Sequence, residues 1–241
     1  MTHVSILCPT YGRPRRVEEL IACFLRQTHD DAHMTVLNDR VGQNLIFNHP
    51  RVSILNHAPR YNSLGEKRNA LIAAATPGLF MCWDDDDIYL PDHIAFSLEN
   101  HAHWKTPASK HHFLWIDGGH QLYRLHPAAW MHTSLIHTDV LAAIGGYEPV
   151  DINEDVRVVH KLLDAGHLHG PSHWERHVPT CIYRSGDTGH HMSDYDPETT
   201  RASMDAHADQ QEGDIQLIPH WNEDYVTKAA ASWQAVCHVG Q

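Results

Sequence analysis

The chain has 241 residues, 42% of them hydrophobic, enough for one large domain or two small ones with a sizeable core. Thirty acidic against 18 basic residues give a formal charge of −12, which argues against a broad nucleic-acid surface. No apolar run approaches the ~18 residues of a membrane span, MTHVSILCPTYGR is too short and too soon polar for a signal peptide, and the five scattered cysteines form no CxxC pair, which speaks against a disulfide framework or a Cys-rich zinc site.

A soluble, cytoplasmic protein with reduced thiols is therefore expected. The 24 histidines are spread along the chain and read as composition, although their protonation near pH 6 would sharply lower the net charge.

In chain order, VSILCP (4–9) is a short apolar run stopped by proline and a polar turn, and predicts a buried strand. Val17, Leu20, Ile21, Phe24 and Leu25 recur at helical spacing and predict a helix over 15–27. MTVLND (34–39) and RVSILNH (51–57) predict two further strands. Ser63-Leu-Gly-Glu66 has the capping-box spacing and starts a helix running to Ala75, stopped by Thr76-Pro77-Gly78. LFMCW (79–83) is the next strand, and Asp84 to Asp87 follow it directly.

This order of elements implies an α/β fold with a mainly parallel sheet covered by helices. Ligands of such sheets bind outside the carboxyl ends of the strands. Thr10 and Tyr11, Asn38 and Asp39, and the four aspartates all fall there.

The second half is less regular. HHFLWID (111–117) and AAWMHTSLIH (128–137) predict strands, 139–144 a short helix closed by Gly145-Gly146. Asn153 is a candidate cap for a helix to Ala165, with Val156, Val159, Leu162 and Leu163 as its apolar stripe and Gly166 at its end. TCIYRS (180–185) predicts a strand, 186–195 a polar loop, and two helices are expected near 197–211 and 222–237. No linker divides the chain, so one domain is expected. Its parts are 1–100, 101–195 and a C-terminal helical segment, 196–241.

Four adjacent carboxylates need a compensating cation or full hydration. Oxygen-only ligands at a strand end suit Mg²⁺ or Mn²⁺ with positions left for phosphate oxygens. The other reading is a solvated acidic turn before Pro91. Lys67 and Arg68 open the preceding helix, where they could meet phosphates. Lys67 reads as a solvated helix face, and Arg68 as either. The histidines of HLHGPSHWERH (His167, His169, His173, His177) lack a cysteine at zinc spacing, and zinc is not expected.

Three blocks resemble glycosyltransferase family 2, in that family's order and over about residues 3–166. They are VSILCPTYGRPRRVEELIACFLRQTHDDAHMTVLND, GEKRNALIAAATPGLFMCWDDDDIYLPDHI with its (K/R)RN helix and DxD strand, and IGGYEPVDINEDVRVVHKLLDAG with a GGY turn and a Glu-Asp pair heading a helix. After Asp39 the chain continues Arg40-Val41-Gly42, where the family often has a Gly-Ser-Thr-Asp-like turn.

The resemblance implies the GT-A fold and an inverting transfer from a nucleotide-sugar, a UDP-sugar being the expected donor, to a hydroxyl acceptor such as a saccharide or glycolipid. Thr10, Tyr11 and Arg13 would lie near the nucleoside, and Asp39 would accept a hydrogen bond from the base. Asp84 would face the ribose or sugar. Asp86 would bind the metal with Asp87 in support. Asp155 would be the general base, kept ionised by the helix dipole, and Glu154 would orient it or bind the acceptor. IYRSGDTGHHMS (182–193) resembles an element that closes over the diphosphate, which makes Arg184 a phosphate partner and His190 or His191 a metal ligand.

Other readings are a phage-type enzyme that glycosylates a hydroxylated DNA base, with Trp115, Arg124 and Trp130 lining a groove for one flipped nucleotide; a non-catalytic nucleotide-sugar-binding module; and a nucleotidyltransferase. The acidic charge counts against the first, the Glu154-Asp155 pair against the second, and TYGRPRR, a poor phosphate loop, against the third.

Overall fold

The computed structural model describes residues 2–104, 108–110, 113–117, 121–126, 134–169, 180–185 and 200–238. In chain order the elements are β1 (Val4–Thr10), α1 (Pro14–Leu25), β2 (Ala32–Asn38), β3 (Gln43–Ile46), β4 (Val52–Asn56), α2 (Leu64–Ala74), β5 (Leu79–Cys82), β6 (Ile88–Tyr89), α3 (His93–Trp104), β7 (Ala108–Lys110), β8 (Phe113–Asp117), β9 (Gln121–His126), β10 (Ser134–His137), α4 (Thr138–Ala143), α5 (Glu154–Asp164), β11 (Leu168–His169), β12 (Cys181–Ser185), α6 (Thr200–His207), β13 (Gly213–Gln216) and α7 (Tyr225–His238).

A seven-stranded sheet has the order β11-β7-β10-β5-β1-β2-β4. β1 pairs in parallel with β2 and β5, β2 with β4, and β7 with β11, while β10 runs antiparallel to both of its neighbours. β1 is buried along its whole length, as a central parallel strand should be, and is therefore apolar on both faces. Val4, Ile6 and Cys8 join Val17, Leu20, Ile21 and Phe24 of α1 in one core. Leu7 points the other way and joins Leu71 of α2 with Val158, Val159 and Leu162 of α5. The period of two in the strand thus assigns α1 to one face and α2 and α5 to the other. β1 and β2 end level at Thr10 and Asn38, and β5 ends at Cys82 opposite Leu7, so the aspartates that follow it lie at the same edge of the sheet as the other two polar clusters.

Several details differ from the sequence-based expectation. Asn153 takes a left-handed conformation at φ 60 and makes no side-chain cap. The apolar stripe of α5 is rotated, leaving Val156 and Leu163 exposed. The buried row is Glu154, Val158 and Leu162, at i, i+4 and i+8, because Glu154 turns inward to an ionic partner. α3 was hidden by the polar residues on its inner face, where His93, Ser97 and Asn100 are all buried. β3, β6, β7, β9 and β13 are too short or too polar for a clear alternation. β13 pairs with β3, so the C-terminal segment is not purely helical. Residues 128–133 and 186–195 lie outside the described residues. Among the described residues no helix is long and apolar enough to cross a membrane.

Candidate active site

The aspartates sit in a loop stapled by the aromatic residues at its two ends. Trp83 and Tyr89 stack with centroids 4.0 Å apart and planes 4° from parallel, and the Tyr89 hydroxyl accepts the Asp84 backbone N–H at 2.9 Å. Burial alternates through the loop: Asp84 and Asp86 are partly exposed, whereas Asp85 and Asp87 are buried. This alternation defines a D-x-D spacing of Asp84 and Asp86 on the open side.

The cations that compensate the four charges come from the chain itself. Arg13 Nη1 donates to Asp85 at 2.8 Å and to Asp86 at 3.1 Å, and Thr10 Oγ1 donates to Asp85 at 2.6 Å. Arg68 Nη2 donates to Asp84 at 2.8 Å. Burial pushes Asp85 upward against the pull of Arg13, and drives Asp87 well above the usual carboxylate range with help from its acidic neighbours.

Three consecutive residues of α2 reach three different parts of the site, because successive residues on a helix point ~100° apart. Lys67 is not the solvated residue expected from sequence. It is 4% exposed, and its ammonium donates to Asp39 Oδ1 and to the Thr10 carbonyl, each at 2.5 Å. Burial lowers its pKa, and the Asp39 charge opposes that. The second Asp39 oxygen accepts the Tyr61 N–H at 3.0 Å.

Arg68 spans the site, donating through Nε to Glu154 at 3.0 Å and through Nη2 to Asp84 at 2.8 Å, while its buried Nη1 has no hydrogen-bond partner among the described residues. Asn69 clamps the Gly-Gly-Tyr turn, accepting the Tyr147 N–H at 3.0 Å and donating to its carbonyl at 2.9 Å. Gly65 packs so closely on this block that a Cβ there would lie 1.8 Å from the Glu148 carbonyl oxygen.

Glu154 and Asp155 begin α5, which presents them to the end of β5. Burial raises Glu154 to about 7, with Arg68 opposing and Asp155 adding to the rise. Burial also raises Asp155, against the charge of Arg68 and the backbone N–H groups of the first turn. Desolvation is thus the larger influence on Asp155, with Arg68 and the first-turn N–H groups opposing it. The Asp84 charge is felt at both residues, so Asp84 and the Glu154-Asp155 pair share one electrostatic neighbourhood.

At the other end of the crevice, Tyr11 is enclosed. Its hydroxyl donates to Asp205 at 2.5 Å and accepts from Arg40 at 3.1 Å, and the Arg60 guanidinium lies 3.8 Å from its ring centroid. Gly12, at φ +65, meets α6 directly: a Cβ there would lie 2.7 Å from the Ala208 Cβ. Arg201 links α6 to Asp151 at 2.8 Å and to the Tyr61 carbonyl at 3.1 Å.

Arg184 is buried beneath the aspartate loop, and its Nη2 has no hydrogen-bond partner among the described residues. It donates to Glu19 at 2.9 Å, to the Asp86 carbonyl, and through its backbone N–H to Asp87 at 3.1 Å. His190, His191, His173, His177 and Trp130 lie outside the described residues. Sequence reasoning missed Arg40, Arg60, Arg201, Asp205, Glu19 and Tyr225. Only Glu19 carried a signal, a lone acid within the apolar face of α1.

Among the described residues no three histidine, cysteine or acidic side chains gather as a metal-binding group. A divalent ion that also binds phosphates takes only one or two carboxylates from its protein. Asp84 and Asp86, partly exposed and one residue apart, fit that demand.

Among known families, residues 5–103 match glycosyl transferase family 2, fewer than half of the chain. A comparison with curated proteins finds no match. Among solved structures, TarS of S. aureus (residues 1–349, in complex with UDP-GlcNAc) is similar at TM-score 0.65 and 14% identity over 87% of this chain and 68% of that one. A longer TarS structure matches at TM-score 0.61 and 12% identity over 76% of this chain, which spans only 37% of the longer one. The mannosyltransferase PcManGT of Pyrobaculum calidifontis, in complex with GDP-Man and Mn²⁺, matches at TM-score 0.61 and 15% identity over 100% of this chain and 76% of that one. At such identities the structural likeness is one of fold. Residues 5–103 are thus similar to glycosyl transferase family 2, and the sheet and flanking helices have the GT-A type of fold.

Proposed function

We propose that the chain is a metal-dependent, inverting glycosyltransferase that moves a sugar from a nucleotide-sugar, a UDP-sugar in our reading, to a hydroxyl of a saccharide, glycolipid or other acceptor. The observation that carries this reading is Arg68, which joins Asp84 at the donor side to Glu154 at the acceptor side. The UDP-GlcNAc and the GDP-Man with Mn²⁺ bound by the neighbours of like fold support a nucleotide-sugar donor and a metal.

In this reading Thr10, Tyr11, Arg13 and Asp39 form the nucleoside end. Asp86, with Asp84 beside it and Asp87 behind it, would hold Mn²⁺ or Mg²⁺, whose charge when bound offsets that of the departing diphosphate. Asp155 takes the proton of the acceptor hydroxyl. The acceptor oxygen bonds to the anomeric carbon as the bond to the diphosphate oxygen breaks, and a single displacement inverts the configuration. Glu154, tethered by Arg68, orients Asp155 toward the acceptor. We read the chain as one domain acting in the cytoplasm, with residues 1–100 serving the donor and 101–195 the acceptor.

The test is incubation with UDP-, GDP- and TDP-sugars, with Mn²⁺ or with EDTA, in the presence of a panel of hydroxyl acceptors. Donor hydrolysis, transfer and thermal shift are measured, and the anomeric configuration of any product is read by NMR. Selective Mn²⁺-dependent stabilisation by UDP-sugars, lost in Asp86→Asn, is expected. Equal UDP affinity in Mn²⁺ and EDTA would remove the metal, and a product of retained configuration would remove the single displacement.

A further inference from the structure

Behind the aspartate loop lies a buried ionic node that no step above uses. β12 runs antiparallel to β6, with Cys181 opposite Tyr89 and Ile182 opposite Ile88. Continuing that register past the strand end brings Arg184 alongside Asp86. Its backbone N–H meets Asp87 Oδ1 at 3.1 Å and its Nε–H meets the Asp86 carbonyl, so one residue holds the carbonyl of the Asp86–Asp87 peptide and the Asp87 side chain that follows it.

Arg184 is held in turn. Its Nη1 donates to Glu19 Oε2 at 2.9 Å, and Tyr225 at the start of α7 donates to Glu19 Oε1 at 2.5 Å. Glu19 is 1% exposed. Burial pushes its carboxyl up, but Arg184 and Tyr225 outweigh burial and hold it below the usual range, so it is the anion of the node. An isolated carboxylate at such depth would be strongly disfavoured, and the structure keeps this one only with a fork of donors around it.

We infer that Glu19 and Tyr225 are positioning residues for the aspartate pair: they fix Arg184, and Arg184 fixes the peptide that aims Asp86. The C-terminal helix α7 is thereby coupled to the donor end through three hydrogen-bonded steps. This inference rests on the reading of Asp84 and Asp86 as a metal site.

Outer residues that orient metal ligands cost ~10–100-fold in metal affinity when they are altered. Calorimetry of UDP binding with Mn²⁺ and with EDTA, and EPR of bound Mn²⁺ in the presence of UDP, are compared for the parent chain, Glu19→Gln and Tyr225→Phe. Glu19→Gln keeps the size and the Tyr225 contact but loses the charge. A fall of ~10–100-fold in Mn²⁺-dependent UDP affinity is expected, with affinity in EDTA unchanged. Tyr225→Phe leaves the Glu19–Arg184 pair intact and keeps the test informative should Glu19→Gln fail to fold. It should weaken the same quantity several-fold and alter the Mn²⁺ spectrum. Parent-like Mn²⁺ affinity and spectrum in Tyr225→Phe, with only a lower melting temperature, would overturn the proposal. A parent chain that binds UDP equally in Mn²⁺ and EDTA would instead remove the reading of the aspartate pair, and the node's role with it.

Discussion

The two ends of the crevice are built differently. At the carboxylate end, each exposed aspartate meets an arginine donated by β1–α1 or α2, and Arg68 carries the connection on to Glu154. At the end we assign to the nucleoside, Tyr11 is enclosed by a segment almost two hundred residues further along, with Asp205 on its hydroxyl and Ala208 against Gly12. The first end is a network of buried charges within the folded core. The second is a contact between the core and α6, and its central carboxylate, Asp205, is exposed. Substitutions at the first end should damage chemistry and stability together with donor geometry. Those at the exposed α6 contacts of the second should act chiefly on nucleotide affinity.

The largest effect is expected at Asp155. A positioned general base contributes ~10²–10⁴-fold, and Asp155→Asn should lower single-turnover transfer by that factor with UDP-sugar affinity in calorimetry unchanged. Burial raises the carboxyl group, and a base must be deprotonated to act, so transfer should rise with pH through a limb above the ordinary carboxylate range. Transfer of normal rate by Asp155→Asn, with Glu154→Gln inactive, would move the base to Glu154.

Next comes the Lys67–Asp39 pair. Removing one partner of a buried ion pair typically costs ~3–5 kcal/mol. Lys67→Met leaves Asp39 buried with the Tyr61 N–H as its described donor, and urea denaturation should show a loss of that order. A loss below ~1 kcal/mol, the range of exposed pairs, would mean that water reaches Asp39 and that this junction belongs to the looser end. Gly65→Ala follows, at the junction of α2 with the acceptor turn. Its methyl would meet a backbone carbonyl and cannot be relieved by a side-chain rotation. Overpacking of this kind costs ~1–3 kcal/mol, and the variant should also lose transfer, since Asn69 and Arg68 would be drawn away from Tyr147 and Glu154.

Much of the carboxylate end was legible in the sequence because its elements are local and periodic. An apolar strand that ends in aspartates, a capped helix before it and a Glu-Asp pair after a glycine turn each announce themselves within about fifteen residues. The burial of Lys67 was not legible, because α2 has no clean apolar stripe: Lys67 and Arg68 occupy its inner face beside Gly65 and Leu71. The orientation of Arg184 was not legible either. Its partners Glu19 and Asp86 are separated from it by 165 and 98 positions. The pairing of β12 with β6 brings Arg184 to Asp86, and the packing of α1 against β6 brings Glu19 to Arg184. The rotation of α5 has the same origin, since an ion pair with Arg68 decided which face is inward.

The smallest expected effect is at Asp205, and it bears most directly on the nucleoside end. Asp205 accepts from Tyr11 at 2.5 Å and pairs with Arg60 at 3.1 Å, yet it is half exposed, so water competes for both interactions. Exposed pairs of this kind are worth ~0.2–1 kcal/mol, and Asp205→Asn should shift stability by no more than that. It keeps a side chain of the same size and a hydrogen-bond acceptor while removing the charge that neutralises Arg40 and Arg60. Both guanidiniums would then face an anionic nucleotide with less compensation. UDP affinity should rise by a few-fold, and the gain should shrink as salt is increased, since exposed charges are screened within ~8–10 Å at ordinary ionic strength. Single-turnover transfer from bound donor should stay at the parent rate, because among the described residues no contact of Asp205 reaches the carboxylate end. A fall in transfer with unchanged UDP affinity would show that α6 serves the chemistry rather than the nucleotide, and the division between the two ends would have to be redrawn.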